Sequence, residues 1–248
     1  MLAIFDIDGT LIRSTHVDDE CFTIAMDRVL GIRGFDTDWA NYTHSTDDGL
    51  ILEIVERYGR FTPSPRQIDD AKAEFFAQLR RAVGAAIAGA TSPCTQIDGV
   101  ARMLDAVRSR GGWSVGISSG TSAEAAAIKL GAAGLSLDGL PATFSHRCPR
   151  THAPASRAQI IRCTREKTLA QSQHADLHPT ALSARAVRTV YVGDGLWDLR
   201  AARDLGIGFV GVRHDADETK LRAEGATRIV HHYRDLPGFL AHLEEAAA

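Results

Sequence analysis

The feature that most constrains the fold of this chain is a repeated succession of short apolar runs and helical patterns. Six runs rich in aliphatic residues have the length of buried strands, and they cover residues 1–5, 113–117, 142–144, 187–192, 207–212 and 229–230. Most of them are followed by a polar loop and then by apolar residues at helical spacing. This alternation predicts an α/β fold, in which a Rossmann-like parallel sheet is covered by helices on both faces.

One long segment has a different pattern. Between Thr15 and Ala90, apolar residues recur at helical spacing in three stretches, and turn residues such as Pro63 and Pro65 separate the last two. We therefore expect residues 15–90 to form a helical domain. It is inserted into a core domain that comprises residues 1–14 and 91–248.

Composition excludes several classes of protein. The 248 residues carry a formal charge of -3 and only 6% are aromatic, which argues against a nucleic-acid-binding protein. No run approaches the roughly 18 apolar residues of a membrane span, and the first residues lack the basic segment of a signal peptide. The four cysteines form no CxxC pair. We therefore expect reduced thiols and a cytoplasmic protein without nucleic-acid or membrane partners.

The loop after the first apolar run carries two acids. Asp6 and Asp8 are two positions apart, so an extended chain would direct both side chains above the same sheet edge. Carboxylates this close repel each other unless a cation or a proton intervenes. Mg²⁺ meets that need, because it is commonly held by carboxylates together with substrate phosphate. Gly9 permits a tight turn, and its amide could face an anion. The competing interpretation is a capped loop with two solvated acids.

Two later strands end in loops of compatible chemistry. Ser118, Ser119 and Gly120 precede a helix, where a hydroxyl and free amides can bind an anion or simply cap the helix. Asp194 follows the fourth run, and Asp198 falls in the first turn of the next helix. Since ligands bind at the carboxyl ends of parallel strands, we expect the three loops to form one site. Asp194 would share a cation with the first loop, whereas Asp198 would either orient its waters or interact with the helix dipole.

Together the three loops resemble motifs of the haloacid dehalogenase-like (HAD) hydrolase superfamily. DIDGT at residues 6–10 matches the first motif, ISSG at residues 117–120 the second, and GDGLWD at residues 193–198 the fourth. Their order and separation also fit, and the resemblance covers nearly the whole chain. It implies the HAD fold, with residues 15–90 as an all-helical cap of the C1 type, as in phosphoglycolate phosphatases.

The resemblance implies a Mg²⁺-dependent phosphatase that works through an aspartyl-phosphate. Asp6 would attack phosphorus, and Asp8 would protonate the leaving oxygen and later activate water. The metal would be held by the Asp6 carboxylate, the Asp8 backbone carbonyl and Asp194. Ser119 is preferred to Ser118 for phosphate binding because it directly precedes the glycine. Phosphate contacts are implied for Gly9, Thr10, Ser119 and Gly120.

The third motif of the family, a basic residue that is usually Lys, has no direct match. The family places it near the start of a helix between the second and fourth motifs, and this chain has HAPASRAQI there, at residues 152–160. Arg157 is therefore the candidate for this phosphate-binding cation, and Lys129, after the second motif, is the alternative. Arginine binds phosphate in a bidentate manner and does not replace lysine like for like. An exposed helical position is the competing interpretation of Arg157.

Asp8 favours phosphate-ester chemistry over carbon–halogen cleavage, because only the first needs a protonated leaving oxygen. A phosphomutase or phosphotransferase would use the same residues, so this alternative stays open beside the hydrolase. A non-catalytic regulatory module of the same fold is a further interpretation. The four retained acids argue against it, and the unmatched third motif keeps it open.

Substrate choice is expected to come from the helical cap. Thr15 and His16 closely follow the first motif, and Thr46 and Asp47 begin a helix whose N-terminus could meet an anionic group of the substrate. An ordinary capped turn is the alternative at each position. We expect the substrate to be a small phosphorylated metabolite, such as a phosphoglycolate-like compound or a sugar phosphate. The sequence does not indicate an oligomeric state.

Overall fold

The computed structural model describes residues 1–88, 92–148, 151, 153–175 and 187–247. The strands in this part of the chain are β1 (Leu2–Phe5), β2 (Ile12–Arg13), β3 (Thr95–Gln96), β4 (Ser114–Ser118), β5 (Ala142–Thr143), β6 (Thr189–Gly193), β7 (Gly208–Val212) and β8 (Ile229–Val230). Six of them form one parallel sheet in the order β5-β4-β1-β6-β7-β8. The predicted α/β fold with a parallel sheet is therefore confirmed.

Helices connect these strands and cover the sheet. Those in the described residues are α1 (Thr15–Leu30), α2 (Asp47–Ile54), α3 (Pro65–Ala88), α4 (Val100–Ser109), α5 (Ala123–Ala133), α6 (Arg157–Ala175), α7 (Leu196–Asp204), α8 (Thr219–Ala223) and α9 (Leu236–Ala246). A 3₁₀ turn at Trp39–Asn41 precedes α2, and a π-helical turn at Val55–Gly59 follows it. Within the described residues, no helix is both long enough and apolar enough to cross a membrane.

The central strand β1 is buried on both faces. Its side chains alternate, so that Ala3 and Phe5 pack in the layer that contains α4, α5 and α9, whereas Leu2 and Ile4 pack with α6 and α7. All four side chains are fully buried, and burying one of the size of Phe5 stabilises a fold by about 1.5–3 kcal/mol. The end of β1, where the first motif begins, therefore rests on a well-packed support.

The helices α1, α2 and α3 form a unit with its own apolar core. Phe22 of α1 and Phe75 of α3 are buried there, with their rings in an edge-to-face arrangement 5.4 Å apart. This agrees with the helical content expected of a cap. The division into two domains remains a prediction, and its second boundary, between residues 90 and 91, lies outside the described residues.

The chain enters and leaves this helical unit through a ribbon that the sequence did not predict. Strand β2 pairs with β3 in antiparallel fashion, with Ile12 opposite Gln96 and Arg13 opposite Thr95. The Arg13 guanidinium also donates to the Gln96 carbonyl at 2.9 Å. Two-residue strands are too short for an alternating pattern, so only the folded chain shows this pairing.

Candidate active site

Three carboxylates meet at the carboxyl ends of β1 and β6. The Asp6 amide donates to the Val192 carbonyl at 2.9 Å, which extends the pairing of the two strands by one step and fixes Asp6 at the sheet edge. Asp194 directly follows β6, and Asp198 lies in the first turn of α7, where its carboxylate accepts the Gly195 amide at 3.1 Å. One oxygen from each of Asp6, Asp194 and Asp198 lies within 4.8 Å of the others. A hard divalent cation suits such a donor set.

Gly9 makes room for this cluster. Its φ of +73° favours glycine, and a Cβ built there would lie 2.1 Å from an Asp194 carboxylate oxygen. Its amide, however, donates to the Ile12 carbonyl at 2.8 Å. The predicted phosphate contact through the Gly9 amide therefore has no free donor in this structure, because the tight turn uses that amide.

Thr10 also differs from its predicted role. Its amide donates to the Ile7 carbonyl at 3.2 Å within the same turn. Its hydroxyl is buried without a hydrogen-bond partner among the described residues, and Thr10 is absent from the described wall of the site cavity. The contacts give Thr10 a place in the turn and no contact with the space above the carboxylates.

Arg157 lies beside the proposed nucleophile, although 151 positions separate the two in sequence. Arg157 is the first residue of α6, and its guanidinium is 8% exposed. Its Nη1 donates to Asp6 Oδ1 at 3.1 Å, and its Nε lies 3.2 Å from Asp198 Oδ1. The candidate for the unmatched third motif therefore joins two members of the carboxylate cluster.

Lys129, the alternative candidate, reaches a different pair of acids. It extends from α5, is fully buried, and places Nζ 2.7 Å from Asp8 Oδ1 and 2.7 Å from Asp18 Oδ2. The same Nζ lies 3.3 Å from the Thr121 hydroxyl. Sequence reasoning did not identify Asp18, because an acid in the first turn of α1 is typical of an ordinary helix start. Its contact depends on a lysine 111 positions away.

In the loop after β4, two neighbouring serines lie in different environments. Ser119 lines the cavity above the carboxylates, and its hydroxyl accepts the Thr121 amide at 3.3 Å. Ser118 is buried below, where its carbonyl accepts the Tyr191 hydroxyl at 3.1 Å. Gly120 also lines the cavity, where a Cβ would lie 2.1 Å from the Ser45 carbonyl oxygen. The geometry thus places Ser119 and Gly120 at the site, as expected.

Burial dominates the electrostatics of these acids. It raises the pKa of Asp6 to about 7, although the Arg157 guanidinium lowers it. It raises the pKa of Asp18 to about 8 against the opposing effect of Lys129. The pKa of Asp194 lies well above its ordinary value because of burial and then the neighbouring Asp198 and Asp6 carboxylates. Without a further cation, the cluster is therefore short of positive charge.

The helical unit covers this site and encloses a cavity of about 130 Å³. The core side of the cavity carries Asp6, Asp8, Asp194, Ser119 and Arg157. The opposite wall, from the helical unit, includes Phe22, Leu50 and Phe75 together with the acids Asp18 and Asp47. Trp39 and Trp197 also line the cavity. These two aromatic side chains are therefore part of the cavity wall as well as packing residues.

Of the four predicted specificity residues, Asp47 lines the cavity. Its Oδ2 accepts the amide and the hydroxyl of Ser122, at 2.7 and 2.6 Å, and so caps α5. Thr46 caps α2 by accepting the Gly49 amide at 3.3 Å. His16 is exposed and is not among the described residues that line the cavity, and the Thr15 side chain lies outside the described part of the chain.

Further contacts hold α2 against the core. The Asp47 amide donates to the Gly120 carbonyl at 2.9 Å, so α2 begins on the second-motif loop. The next residue, Asp48, is fully buried and pairs with Lys72 of α3 at 3.1 Å and with Arg147 of the core at 3.2 Å. The helix N-terminus expected to meet a substrate anion is therefore occupied by acids that already have protein partners.

Comparisons with known proteins agree with the fold. Among solved structures, a hydrolase from Pseudomonas syringae aligns with a TM-score of 0.68 and 19% identity over 100% of both chains. A putative β-phosphoglucomutase from Bacteroides vulgatus gives 0.63 and 16%, covering 99% of this chain and 89% of that one. A predicted phosphoglycolate phosphatase from Haemophilus somnus gives 0.57 and 15%, covering 96% and 97%. These likenesses show the fold.

Comparison with curated protein sequences gives no significant match. The family profile described as haloacid dehalogenase-like hydrolase matches residues 1–206, which is most of the chain. The chain therefore belongs to the haloacid dehalogenase-like hydrolase family, as its three loops predicted.

Proposed function

We propose that this chain is a Mg²⁺-dependent phosphatase that hydrolyses small phosphate monoesters through an aspartyl-phosphate intermediate. The observation that carries the proposal is the placement of Asp6 and Asp8 at the end of β1, each against its own buried cation. Arg157 lies 3.1 Å from Asp6, and Lys129 lies 2.7 Å from Asp8. Both acids line the same cavity.

In the first step, an Asp6 carboxylate oxygen attacks phosphorus, and the bond from phosphorus to the ester oxygen breaks. Asp8 gives its proton to the departing oxygen, so the alcohol leaves neutral. In the second step, water attacks the aspartyl-phosphate while Asp8 takes a proton from that water. Inorganic phosphate leaves, and Asp6 regains its carboxylate.

The cations and Ser119 have separate tasks in this scheme. Arg157 holds Asp6 in place and faces the transferring phosphoryl oxygens with a guanidinium, which suits that charge. Ser119 lines the cavity and donates its hydroxyl to a phosphoryl oxygen. Lys129 fixes the orientation of Asp8, since the Ser14 hydroxyl and Lys129 both contact Asp8 Oδ1.

The chemistry of the donor set fits Mg²⁺. Three carboxylates converge within 4.8 Å, and the missing side chain of Gly9 leaves Asp194 the space it needs. Asp6, Asp194 and the Asp8 backbone carbonyl would hold the ion. Asp198 would orient its water ligands, because this carboxylate already accepts the Gly195 amide. A bound Mg²⁺ supplies positive charge that neutralises the phosphoryl group.

Phosphate release from a panel of phosphate monoesters tests the proposal. With Mg²⁺ the protein should release phosphate, and chelation of the metal should abolish release. Asp6→Asn should lower kcat by at least about 10⁴-fold, because it removes the nucleophile and keeps the shape. Asp105→Asn, an exposed acid on α4, is the matched control and should keep full activity. Normal turnover by Asp6→Asn would contradict the mechanism.

The same panel separates a phosphatase from a phosphomutase, which stays open as an alternative. A mutase moves the label of a ³²P-ester to a second hydroxyl and releases little free phosphate. A non-catalytic module would neither release nor transfer it.

A further inference from the structure

The wall of the cavity that faces away from the carboxylate cluster is apolar and acidic. Phe22, Trp39, Leu50 and Phe75 of the helical unit form its apolar part. The charged residues that this unit adds to the lining are the acids Asp18 and Asp47. Among the described lining residues, the only basic one is Arg157, which lies on the core side and is paired with Asp6 and Asp198. A second anionic group on the substrate would therefore meet no counter-charge from the described residues of this wall.

Asp18 offers an unused acceptor at this wall. Its Oδ2 contacts Lys129 at 2.7 Å, whereas its Oδ1 is buried and has no hydrogen-bond partner within the described part of the chain. A buried acceptor without a donor is unfavourable, and a ligand that brings a donor removes that penalty. The position therefore favours a leaving group with a hydrogen-bond donor.

The local charge favours a cationic donor over a neutral one. Asp8, Asp18 and Asp47 are grouped around the single ammonium of Lys129, which contacts the first two directly. Aromatic faces also attract ammonium groups. Trp39 is held in place here, since its indole Nε1 donates to Asp19 at 2.7 Å.

A donor without a partner lies on the core side of the same cavity. The indole N–H of Trp197 is buried, and none of the described residues accepts it. An ester oxygen or phosphoryl oxygen would satisfy it. Two residues that line the cavity thus carry an unpaired polar atom, a donor in Trp197 of the core and an acceptor in Asp18 of the helical unit.

We propose that the substrate is a small phosphate monoester whose leaving alcohol carries an amine and no second acid. This inference rests on the proposed phosphatase function and adds the substrate class. The phosphoryl group lies over Asp6, and the ammonium group lies against Asp18 and the aromatic wall. It replaces the expectation of a phosphoglycolate-like substrate, which would bring a carboxylate to a wall with no described basic residue.

The test compares esters that share a phosphoryl group and differ in the charge of the leaving group. The probes are 2-aminoethyl phosphate, propyl phosphate, 2-hydroxyethyl phosphate and carboxymethyl phosphate, assayed with Mg²⁺. The aminoethyl ester should exceed the propyl ester in kcat/KM by about tenfold, as one desolvated ammonium–aromatic contact allows. The carboxymethyl ester should be the poorest. Equal values for the aminoethyl and hydroxyethyl esters, or a best value for the carboxymethyl ester, would overturn the inference.

Two variants test whether Asp18 and the apolar wall of the cavity determine the preference for an amine. Asp18→Asn should remove the preference for the aminoethyl over the propyl ester, and this ratio is informative even if overall activity falls through Lys129. Leu50→Arg should raise the relative rate of the carboxymethyl ester, because it adds a cation to the wall. Thr62→Arg adds the same charge at an exposed position of the helical unit and should change neither ratio. Unchanged ratios in both cavity variants would refute the assignment.

A general chromogenic ester, 4-nitrophenyl phosphate, distinguishes the two levels of failure. Hydrolysis of this ester without any preference for amines would refute the substrate class and leave the phosphatase intact. No release from any ester, with folded protein and Mg²⁺, would refute both.

Discussion

Among the described residues, two cations are buried in the candidate active site, and they join different parts of the chain. Arg157 contacts Asp6 and Asp198, which lie with it on the core. Lys129 contacts Asp8 on the core and Asp18 on the first helix of the helical unit. The Arg157 group is therefore complete within the core, whereas the Lys129 group exists only while α1 lies against α5. The difference indicates that core residues alone hold the proposed nucleophile Asp6, whereas the proposed general acid Asp8 is coupled through Lys129 to the helical unit.

The largest expected effect comes from removing the cation that joins core and cap. Lys129→Met should lower the free energy of unfolding by up to about 3–5 kcal/mol, because it leaves two partly buried carboxylates without their partner. Urea denaturation measures this loss. Lys220→Met is the matched control, since Lys220 forms an exposed pair with Asp38, and such pairs contribute about 0–1 kcal/mol. A loss at Lys129 no larger than at Lys220 would show that the bridge adds nothing to stability.

A smaller effect should follow from exchanging the cation of the core group. Arg157→Lys keeps the charge beside Asp6 and removes the second, planar contact with Asp198. We expect kcat/KM to fall by about 10²-fold, as for the loss of one group that stabilises transition-state charge, with little change in melting temperature. Steady-state kinetics beside thermal denaturation measure both quantities. Full activity in Arg157→Lys would mean that catalysis does not need the simultaneous contact of the guanidinium with Asp6 and Asp198.

The last effect is graded with pH and depends on the metal. Burial raises the pKa of Asp6 to about 7 and raises that of Asp194 well above its ordinary value, so the folded protein keeps protons that the unfolded chain loses near pH 4. Across the window from about pH 4 to 7 the folded state therefore holds more protons, and the metal-free protein should become less stable as pH rises. Mg²⁺ binds the charged form and opposes this trend. Its stabilising effect should grow with pH by up to about 1.4 kcal/mol per unit for each such acid.

Melting temperatures at pH 5.5, 6.5 and 7.5, with EDTA and with Mg²⁺, measure that difference. Groups outside the site, including His214, change both curves alike and cancel. A Mg²⁺ effect that is constant or falls with pH would show that these acids do not hold the metal.

Much of the fold could be predicted because its signals are local. The six strands of the sheet coincide with apolar runs in the sequence. The polar loops after β1, β4 and β6 indicate the position of the site. Asp6, Asp194 and Asp198 were expected to meet because parallel strands end at one edge. The structure brings these three side chains together, and it places Ser119 rather than Ser118 on the cavity wall.

The remainder depends on contacts between distant segments. Asp18 has no signal of its own, since its role arises from Lys129 across the boundary between cap and core. Arg157 and Lys129 looked like alternatives because the family motif needs one cation, whereas the folded chain gives each a different acid. The Gly9 amide looked free for a phosphate because a sequence does not show that the Ile12 carbonyl would accept it.

The ribbon of β2 and β3 limits how the helical unit could move relative to the core. The two segments that connect the helical unit to the core are hydrogen-bonded to each other, so they cannot bend independently. The helical unit is therefore attached by one two-stranded ribbon rather than by two separate linkers. A two-stranded ribbon bends readily in the direction perpendicular to its plane, whereas its hydrogen bonds resist sliding of one strand along the other. If the helical unit opens, we therefore expect a single swing about this ribbon. Because α1 starts two residues after β2, Asp18 would move with that swing. Such an opening would separate Asp18 from Lys129 and change the partners around Asp8.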